Sequence, residues 1–502
     1  MKIARKLLAT LALSTAMIAA PIGAQGEGHV TEADGEDTED EAKQAAAMAE
    51  AIALAEIWLE QFRQYERIPA ISAAVVKGDR TVWSKGFGYT DRAMTQPATA
   101  DTIYSICSIS KLFTAVAFMQ EWEKGTVRLD EPVSTYLPWA QLAADERDSV
   151  PVTMRGLLTH SAGLPREAVN PYWTGPDFPF PSQAELRAAI SGQDPLYPAS
   201  TTFQYSNLGL SLVGEVVEAV SGDTYSDYVS SNILKPLGMS DTRPFIPQDL
   251  ADGQMAVGWG SLTVEGSRPE VKLFDARGIN PAAGFSSSVN DLAKFASWQF
   301  RLIESGEAEL LRKSTLRDMH RVHYITPDRQ TSWGLGFVNF PVDGRDFVGH
   351  GGSCPGYRSS LMMDPKNEIA IAVAMNAMEN PGGLARSLGG LLAKRMSANE
   401  FDAPEAEALN LADYVGVYDA QPWARDLVVV HWAGGLVAVT PSDDDIAGEI
   451  RSRLKPLGGD RFQVISDKGE EREVVTFHRD ADGNVTHYEW HGQFTYRKGP
   501  MP

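Results

Sequence analysis

The chain has 502 residues, with 45 lysines and arginines against 66 aspartates and glutamates, and a formal net charge of −21. That length exceeds one compact core and favours two or three domains. The charge argues against a nucleic-acid partner, because phosphate backbones are bound by clustered lysine and arginine and no stretch forms a basic stripe.

The first 24 residues are predicted to be a secretory signal peptide. Lys2, Arg5 and Lys6 precede an uncharged run that ends at small residues near Ala24. This run is too short to cross a bilayer, so we expect a periplasmic or secreted protein with no membrane span after cleavage. An uncleaved N-terminal tether is the alternative. Residues 25–47 are rich in acidic side chains and are predicted to be a disordered spacer.

The next segments predict an α+β domain. Apolar residues at helical spacing over 43–65 predict a helix, and two β-rich runs around residues 78–79 predict a hairpin. Residues 108–123 leave little polar surface, so they predict a buried helix that stops near Gly125. This order is typical of an antiparallel sheet packed against helices.

The C-terminal part differs in composition from the rest. Residues 397–410 are predicted to be a linker, and 411–502 contain short β-rich runs separated by glycine-containing turns. This pattern predicts a small all-β barrel or sandwich. It rests on the larger domain or mediates self-association, and the sequence does not choose between these roles.

One pair of residues indicates nucleophilic chemistry. Lys111 follows Ser108 by three positions, Ser110 by one and Ser105 by six, so on a helix only Ser108 shares a face with it. A serine hydroxyl attacks a carbonyl once a base takes its proton, and burial lowers the pKa of a lysine enough for that task. The first turn of a helix also offers backbone N–H groups to an oxyanion.

Six further motifs support the catalytic interpretation of Ser108 and Lys111. They are "LLTHSAGLP" (157–165), "YSN" (205–207), "KPLGMSDT" (235–242), "GFSSSVNDLAKF" (284–295), "WGLGF" (333–337) and "HGG" (350–352). In this order the motifs resemble the serine β-lactamase-related family, which includes class C β-lactamases, D-alanyl-D-alanine carboxypeptidases, D-aminopeptidases and family VIII-type carboxylesterases. The resemblance covers residues 48–396. It implies a β-lactamase/transpeptidase-like domain, with an antiparallel sheet, flanking helices and an all-helical subdomain, followed by a lipocalin-like barrel.

The resemblance also implies roles for individual residues. Ser108 would attack the substrate carbonyl, Lys111 would assist proton transfer, and Tyr205 would carry the proton to the leaving group. Asn207 would bind the acyl side of the substrate.

The "HGG" segment would complete the site. His350 and Gly352 would belong to a substrate-binding strand, and Ser353 would pair its N–H with that of Ser108 as the oxyanion hole. Many relatives carry a lysine where this chain has His350, and a histidine is neutral over much of the pH range. The substitution favours substrates without an obligatory free carboxylate. The flanking Cys107 and Cys354 are then either a disulfide or two buried thiols.

Two local features remain open in the sequence. His160 is expected to be a hydrogen-bonded structural residue rather than a base. Tyr172, Trp173, Phe178 and Phe180 either line the rim of the cleft or pack into their own loop.

The sequence therefore predicts an exported serine hydrolase that forms an acyl-enzyme on ester or amide bonds, of esterase or peptidase type. The alternatives are a β-lactamase or D,D-carboxypeptidase, and a penicillin-binding-like sensor or scaffold that does not turn over. No cofactor or metal is implied. The expected partners are a small-molecule or peptide substrate and, as an open option, further copies of the chain.

Overall fold

The computed structural model describes residues 33–140, 142, 150–168, 171–190, 195–342, 344–402, 409–441 and 444–501. The predicted signal peptide lies outside these residues. Two units are distinguished, Met1–Ala46 and Ala47–Pro502, and all packing described below belongs to the second. Within the described ranges, none of the helices combines the length and the hydropathy that crossing a membrane requires.

The helices are as follows in chain order. They are α1 Ala33–Tyr65, α2 Ser110–Lys124, α3 Val133–Tyr136, α4 Met154–Leu158, α5 Gln183–Ile190, α6 Asn207–Ser221, α7 Tyr225–Val229, α8 Asn280–Ala283, α9 Val289–Ser305, α10 Lys313–His320, α11 Pro381–Met396 and α12 Ile446–Glu449. A π-helix spans Ser230–Leu234, and 3₁₀ helices span Gln248–Leu250, Arg277–Ile279 and Leu411–Tyr414.

The strands form two sheets and a barrel. They are β1 Ala70–Lys77, β2 Arg80–Gly88, β3 Tyr104–Cys107, β4 Phe285–Ser287, β5 Tyr324–Ile325, β6 Ser332–Trp333, β7 Val338–Val342, β8 Arg345–Cys354, β9 Tyr357–Asp364, β10 Ile369–Met375, β11 Gly416–Asp419, β12 Leu427–Trp432, β13 Gly435–Val439, β14 Ser452–Gly458, β15 Arg461–Ser466, β16 Glu471–Arg479, β17 Val485–Trp490 and β18 Gln493–Gly499.

The main sheet has eight strands in the order β2-β1-β10-β9-β8-β7-β6-β5, and its neighbouring strands are antiparallel. Its centre is covered on both faces, which explains the nearly continuous apolar run of β1. Ala74 and Val76 belong to the core that contains α2 and α9. Ala73 and Val75 belong to a second core that contains α1 and α11. The predicted hairpin of β1 and β2 and the antiparallel sheet are confirmed.

The described chain between β3 and β4 forms helices and loops, in line with the expected helical subdomain. The short pair of β3 and β4 brings the two ends of this stretch together, because Tyr104 pairs with Ser287. The subdomain therefore leaves and rejoins the sheet domain at one point, next to Ser108.

The two predicted helices begin at different residues from those expected. Helix α1 starts at Ala33 rather than Lys43, so the acidic segment is helical from that point. Helix α2 starts at Ser110, and Ser108 lies in the turn before it. That turn is tight, since the Lys111 N–H donates to the Ser108 carbonyl at 3.1 Å. Helix α2 ends as predicted at Gly125, whose φ of 82° is the left-handed conformation that favours glycine.

The C-terminal strands close into an eight-stranded barrel, β11 to β18 in sequence order. The predicted barrel is therefore confirmed and the sandwich alternative is wrong. Large side chains fill its interior, and they are Tyr414, Tyr418, Phe462, Phe477 and Tyr488.

The barrel rests on the larger domain through an apolar face. Val428, Val430 and Trp432 share a core with residues of α1 and α11, including Leu384 and Leu388. Of the two roles left open by the sequence, the structure shows the contact with the larger domain.

Candidate active site

Ser108 and Lys111 lie together at the base of a cleft. The Lys111 Nζ is 3.0 Å from the Ser108 Oγ, 2.7 Å from the Asn207 Oδ1 and 2.8 Å from the Ala282 carbonyl oxygen. Lys111 is fully buried, whereas Ser108 keeps 8% of its surface exposed. The turn before α2 thus achieves the pairing that the sequence predicted from a helix.

Three groups surround the Lys111 nitrogen. The Asn207 Oδ1 and the Ala282 carbonyl only accept hydrogen bonds, so they hold two N–H groups of Lys111 in either protonation state. The third position of the nitrogen faces the Ser108 Oγ, where an ammonium would donate a hydrogen bond and a neutral amine would present its lone pair. Burial lowers the pKa of Lys111 well below its usual value; the carboxylate of Glu167 opposes this shift and the guanidinium of Arg166 adds to it.

Tyr205 is placed by the start of α6. Ser206 caps this helix, since its Oγ accepts from the Gly209 N–H at 2.9 Å, and its own N–H donates to the His160 Nδ1 at 3.1 Å. The prediction that His160 is a hydrogen-bonded structural residue is confirmed. The ring of Tyr205 lies 4.3 Å from that of His160, and Ser108 lies near enough to its hydroxyl to oppose part of the effect of burial on the pKa of Tyr205. Burial raises the pKa of Tyr205, so it is a phenol at neutral pH.

Glu167, which orients Asn207, was not predicted from the sequence. The Asn207 Nδ2 donates to the Glu167 Oε1 at 2.5 Å, and the Tyr172 hydroxyl donates to the Glu167 Oε2. This contact fixes the amide so that its oxygen faces Lys111. One feature of the sequence could have indicated Glu167: Arg166 and Glu167 follow directly after the "LLTHSAGLP" motif, which belongs to the set that marks the site.

His350 is neutral, as expected. Its Nδ1 lies 2.6 Å from the Gly351 carbonyl, which can only accept, so Nδ1 carries the proton. Its Nε2 is buried and has no hydrogen-bond partner among the described residues. Burial and the neighbouring Lys111 lower the pKa of His350 to about 3.

The position of Gly352 has no room for a side chain. A Cβ there would collide with the Ser359 Oγ and the Ile106 carbonyl. Glycine therefore lets β8 approach β3, the strand that leads to Ser108.

A disulfide joins the same two segments. Cys107 and Cys354 are bonded, with their Cα atoms 5.8 Å apart, so the alternative of two buried thiols is wrong. Cys107 precedes Ser108 and Cys354 follows Ser353. The bond therefore ties together the two residues expected to form the oxyanion hole.

One cavity of about 350 Å³ collects most of the predicted site. Its lining includes Ser108, Tyr205, His350, Gly352 and Ser353. The other two predicted residues, Lys111 and Asn207, are buried beneath Ser108. A wider groove of about 1040 Å³ lies between α1, β2 and the barrel, but none of these seven residues lines it.

The aromatic loop packs onto itself. Tyr172 and Phe180 are buried, and the Phe180 ring lies 4.8 Å from that of Trp173 and 5.3 Å from that of Phe274. Of the two alternatives for this loop, the packed one is confirmed.

Comparisons with known proteins identify the family of the chain. Residues 56–395 match the family model described as Beta-lactamase. Protein flp of Staphylococcus aureus strain COL is 26% identical over 324 residues, which are 63% of this chain and 61% of flp, so the match spans less than two thirds of that relative.

Two solved structures share the fold. The octameric penicillin-binding protein homologue from Pyrococcus abyssi is 24% identical with a TM-score of 0.59, over 89% of this chain and 100% of that one. A D-stereospecific amidohydrolase from Streptomyces sp. is 24% identical with a TM-score of 0.53, over 65% and 94% of the two chains. With the family model matching more than half of its length, the chain belongs to the β-lactamase family.

Proposed function

We propose that the protein is an exported serine hydrolase that cleaves ester or amide bonds through an acyl-enzyme on Ser108. The observation that carries this proposal is the environment of Lys111. Its Nζ donates to the Asn207 Oδ1 and to the Ala282 carbonyl, and it lies 3.0 Å from the Ser108 Oγ, so the neutral amine would direct its lone pair at the Ser108 hydroxyl.

The reaction follows from that arrangement. The Ser108 Oγ attacks the substrate carbonyl as Lys111 takes its proton, and the N–H groups of Ser108 and Ser353 hold the oxyanion. The Tyr205 phenol then gives its proton to the leaving alcohol or amine, and the Lys111 ammonium returns a proton to Tyr205. Water releases the acyl group by the same transfers in reverse, which restores the Ser108 hydroxyl.

The neutral His350 favours this activity over lactam hydrolysis, because it supplies no fixed positive charge at the position of the family lysine. The Streptomyces structure described above is that of an amidohydrolase, which agrees with amide cleavage as part of the range. Lactam turnover and acylation without turnover are the rival outcomes.

Turnover assays separate these functions. We expect the purified protein to hydrolyse p-nitrophenyl acetate faster than a chromogenic cephalosporin, and Ser108→Ala to lose the ester activity by about 10⁴-fold or more. Ser110→Ala is the matched control, since the Ser110 Oγ accepts from the Phe285 N–H inside the core and does not contact Lys111. Full ester turnover by Ser108→Ala would refute the proposal. Preferred turnover of the cephalosporin would assign a β-lactamase, and stable labelling without turnover would assign a sensor.

The proposal extends to export, domains and assembly. Residues 1–24 would be removed on secretion, and 48–396 and 411–502 would form two domains joined by 397–410. Self-association is included because the Pyrococcus homologue is octameric. The intact mass of the secreted protein checks the removal of residues 1–24. Its mass by light scattering checks the self-association.

A further inference from the structure

His160 lies buried beside Tyr205 in an uncommon backbone conformation. It follows the end of α4 by two residues and is 1% exposed. Its φ of 57° is in the left-handed region, which residues other than glycine adopt rarely. Such a conformation costs free energy and persists where the surrounding contacts hold it in place. The contacts of His160 therefore indicate what this conformation serves.

His160 holds the backbone before and after Tyr205. Its carbonyl accepts the Gln204 N–H at 2.8 Å, and its Nδ1 accepts the Ser206 N–H at 3.1 Å. One residue thus fixes the chain on the two sides of the Cα from which the phenol extends. The left-handed turn at His160 allows its carbonyl and its imidazole to reach the same short segment.

The imidazole also supports the ring of Tyr205. The two ring centres are 4.3 Å apart, and the ring planes are inclined by 32°. The imidazole in turn meets the Trp333 ring at 86°, with the ring centres 4.7 Å apart, so its own position is fixed by packing. Backbone and ring contacts together set where the Tyr205 hydroxyl lies in the cavity beside Ser108.

His160 is not placed to exchange protons with a substrate. It is neutral, because burial lowers its pKa well below the usual value and the charge of Lys111 adds to this effect. Its Nδ1 accepts the Ser206 N–H, so the proton is on Nε2, which is buried and has no hydrogen-bond partner among the described residues. His160 does not line the cavity that contains Ser108. Any effect of its imidazole on the reaction therefore passes through Tyr205.

We propose that His160 is a positioning residue that holds the Tyr205 phenol within reach of the leaving group of the substrate. This inference rests on the proposed hydrolase function, in which Tyr205 gives its proton to the leaving alcohol or amine. That proton matters when the leaving group is a poor anion, as for alkyl esters and amides, and matters little for a stable anion such as p-nitrophenolate. His160 thus extends the substrate class to esters and amides whose leaving groups must be protonated.

Two esters that form the same acetyl-enzyme test this inference. p-Nitrophenyl acetate releases a stable anion, whereas p-nitrobenzyl acetate releases an alcohol that needs a proton. His160→Gly removes the imidazole and leaves the left-handed backbone accessible. We expect this variant to lower kcat/KM for the benzyl ester by roughly 10- to 100-fold, a part of the effect of general acid catalysis. For the nitrophenyl ester the change should stay below about threefold, which also verifies that the variant is folded.

A second variant isolates the hydrogen bond. Asparagine also adopts the left-handed conformation, and its Oδ1 can accept the Ser206 N–H in place of Nδ1. His160→Asn should therefore be about fivefold faster than His160→Gly on the benzyl ester, the effect of one neutral hydrogen bond. In a Tyr205→Phe background, His160→Gly should change this rate by less than about threefold, because it acts through the phenol. His320→Gly is the control. The His320 Nε2 lies 2.8 Å from the Gln299 Oε1, and its loss should leave the ratio of the two ester rates unchanged.

Other outcomes would overturn the inference. Equal losses on both esters would show that His160 only supports the fold of the site. A His160→Asn protein no faster than His160→Gly would show that the contact with Ser206 does not place the phenol, and full benzyl-ester activity in His160→Gly would show that Tyr205 is held without the imidazole. Failure of the hydrolase proposal is a separate result, in which Ser108→Ala would keep its activity on both esters.

Discussion

At the scale of single residues, the proposed mechanism requires an unprotonated Lys111. Burial is the largest cause of its lowered pKa, and two neighbouring charges act in opposite directions. A protonated Lys111 has no lone pair for the Ser108 hydroxyl. The rate should therefore fall as the pH decreases through the pKa of Lys111, which produces an acid limb in the profile of kcat/KM.

Neutralising the two charges in turn should move this limb in opposite directions. Arg166 lowers the pKa of Lys111, so Arg166→Gln should raise that pKa and shift the acid limb to higher pH. Glu167 raises the pKa, so Glu167→Gln should shift the limb to lower pH. The measurement is the pH dependence of kcat/KM for a neutral ester such as p-nitrophenyl acetate. Shifts in the same direction for both variants would contradict Lys111 as the base.

At the scale of elements, the site is a junction between the turn before α2 and strand β8. Gly352 allows these segments to approach, and the disulfide joins them although its cysteines are 247 positions apart in sequence. A catalytic geometry that depends on two such distant segments is sensitive to small displacements.

Reduction of the disulfide should therefore slow turnover. Dithiothreitol, which is itself oxidised, would convert the bond into two thiols, and we expect kcat for p-nitrophenyl acetate to fall by roughly 10- to 100-fold. The double variant Cys107→Ala/Cys354→Ala should be equally slow and should not respond to dithiothreitol. A fully reduced protein, verified by thiol counting, that retains the original kcat would rule out this role.

At the scale of the whole molecule, the barrel and the hydrolase domain share one apolar core. Trp432 of β12 is 1% exposed within that core, while Trp423 in the preceding loop is 77% exposed. We expect Trp432→Ala to lower the free energy of unfolding by about 3–5 kcal/mol, as for other buried tryptophans. Trp423→Ala should change it by less than about 0.5 kcal/mol.

Denaturant unfolding followed by near-ultraviolet circular dichroism and by ester hydrolysis checks this expectation. Loss of activity and loss of the dichroism signal should shift together in Trp432→Ala. If the denaturant midpoint for activity stays unchanged in Trp432→Ala while the midpoint for the dichroism signal shifts, the barrel and the hydrolase domain are energetically independent.

The sequence was most informative where neighbours along the chain determine the outcome. The spacing of Ser108 and Lys111, the end of α2 at Gly125 and the short C-terminal strands all rest on local patterns, and the structure agrees with each. The sequence predicted that α2 begins at residue 108, whereas it begins at Ser110. A tight turn and a helical turn place residues three apart at similar distances, so the spacing of Ser108 and Lys111 does not distinguish them.

Long-range contacts could not be predicted in the same way. Glu167 holds Asn207 across 40 positions, and Ser359 of β9 donates to the Ile106 carbonyl across 253 positions. Neither residue stands out in the sequence, since its partner is set by the fold rather than by spacing.

Covalent acylation of Ser108 is the step on which the proposed function depends. It can be tested by the intact mass of the protein after an acid quench of its reaction with p-nitrophenyl acetate, followed by mapping of the modified peptide. We expect one added acetyl group on Ser108, and none in Ser108→Ala. Turnover of the ester with the acetyl group on another residue, or with no adduct at any quench time, would rule out an acyl-enzyme on Ser108.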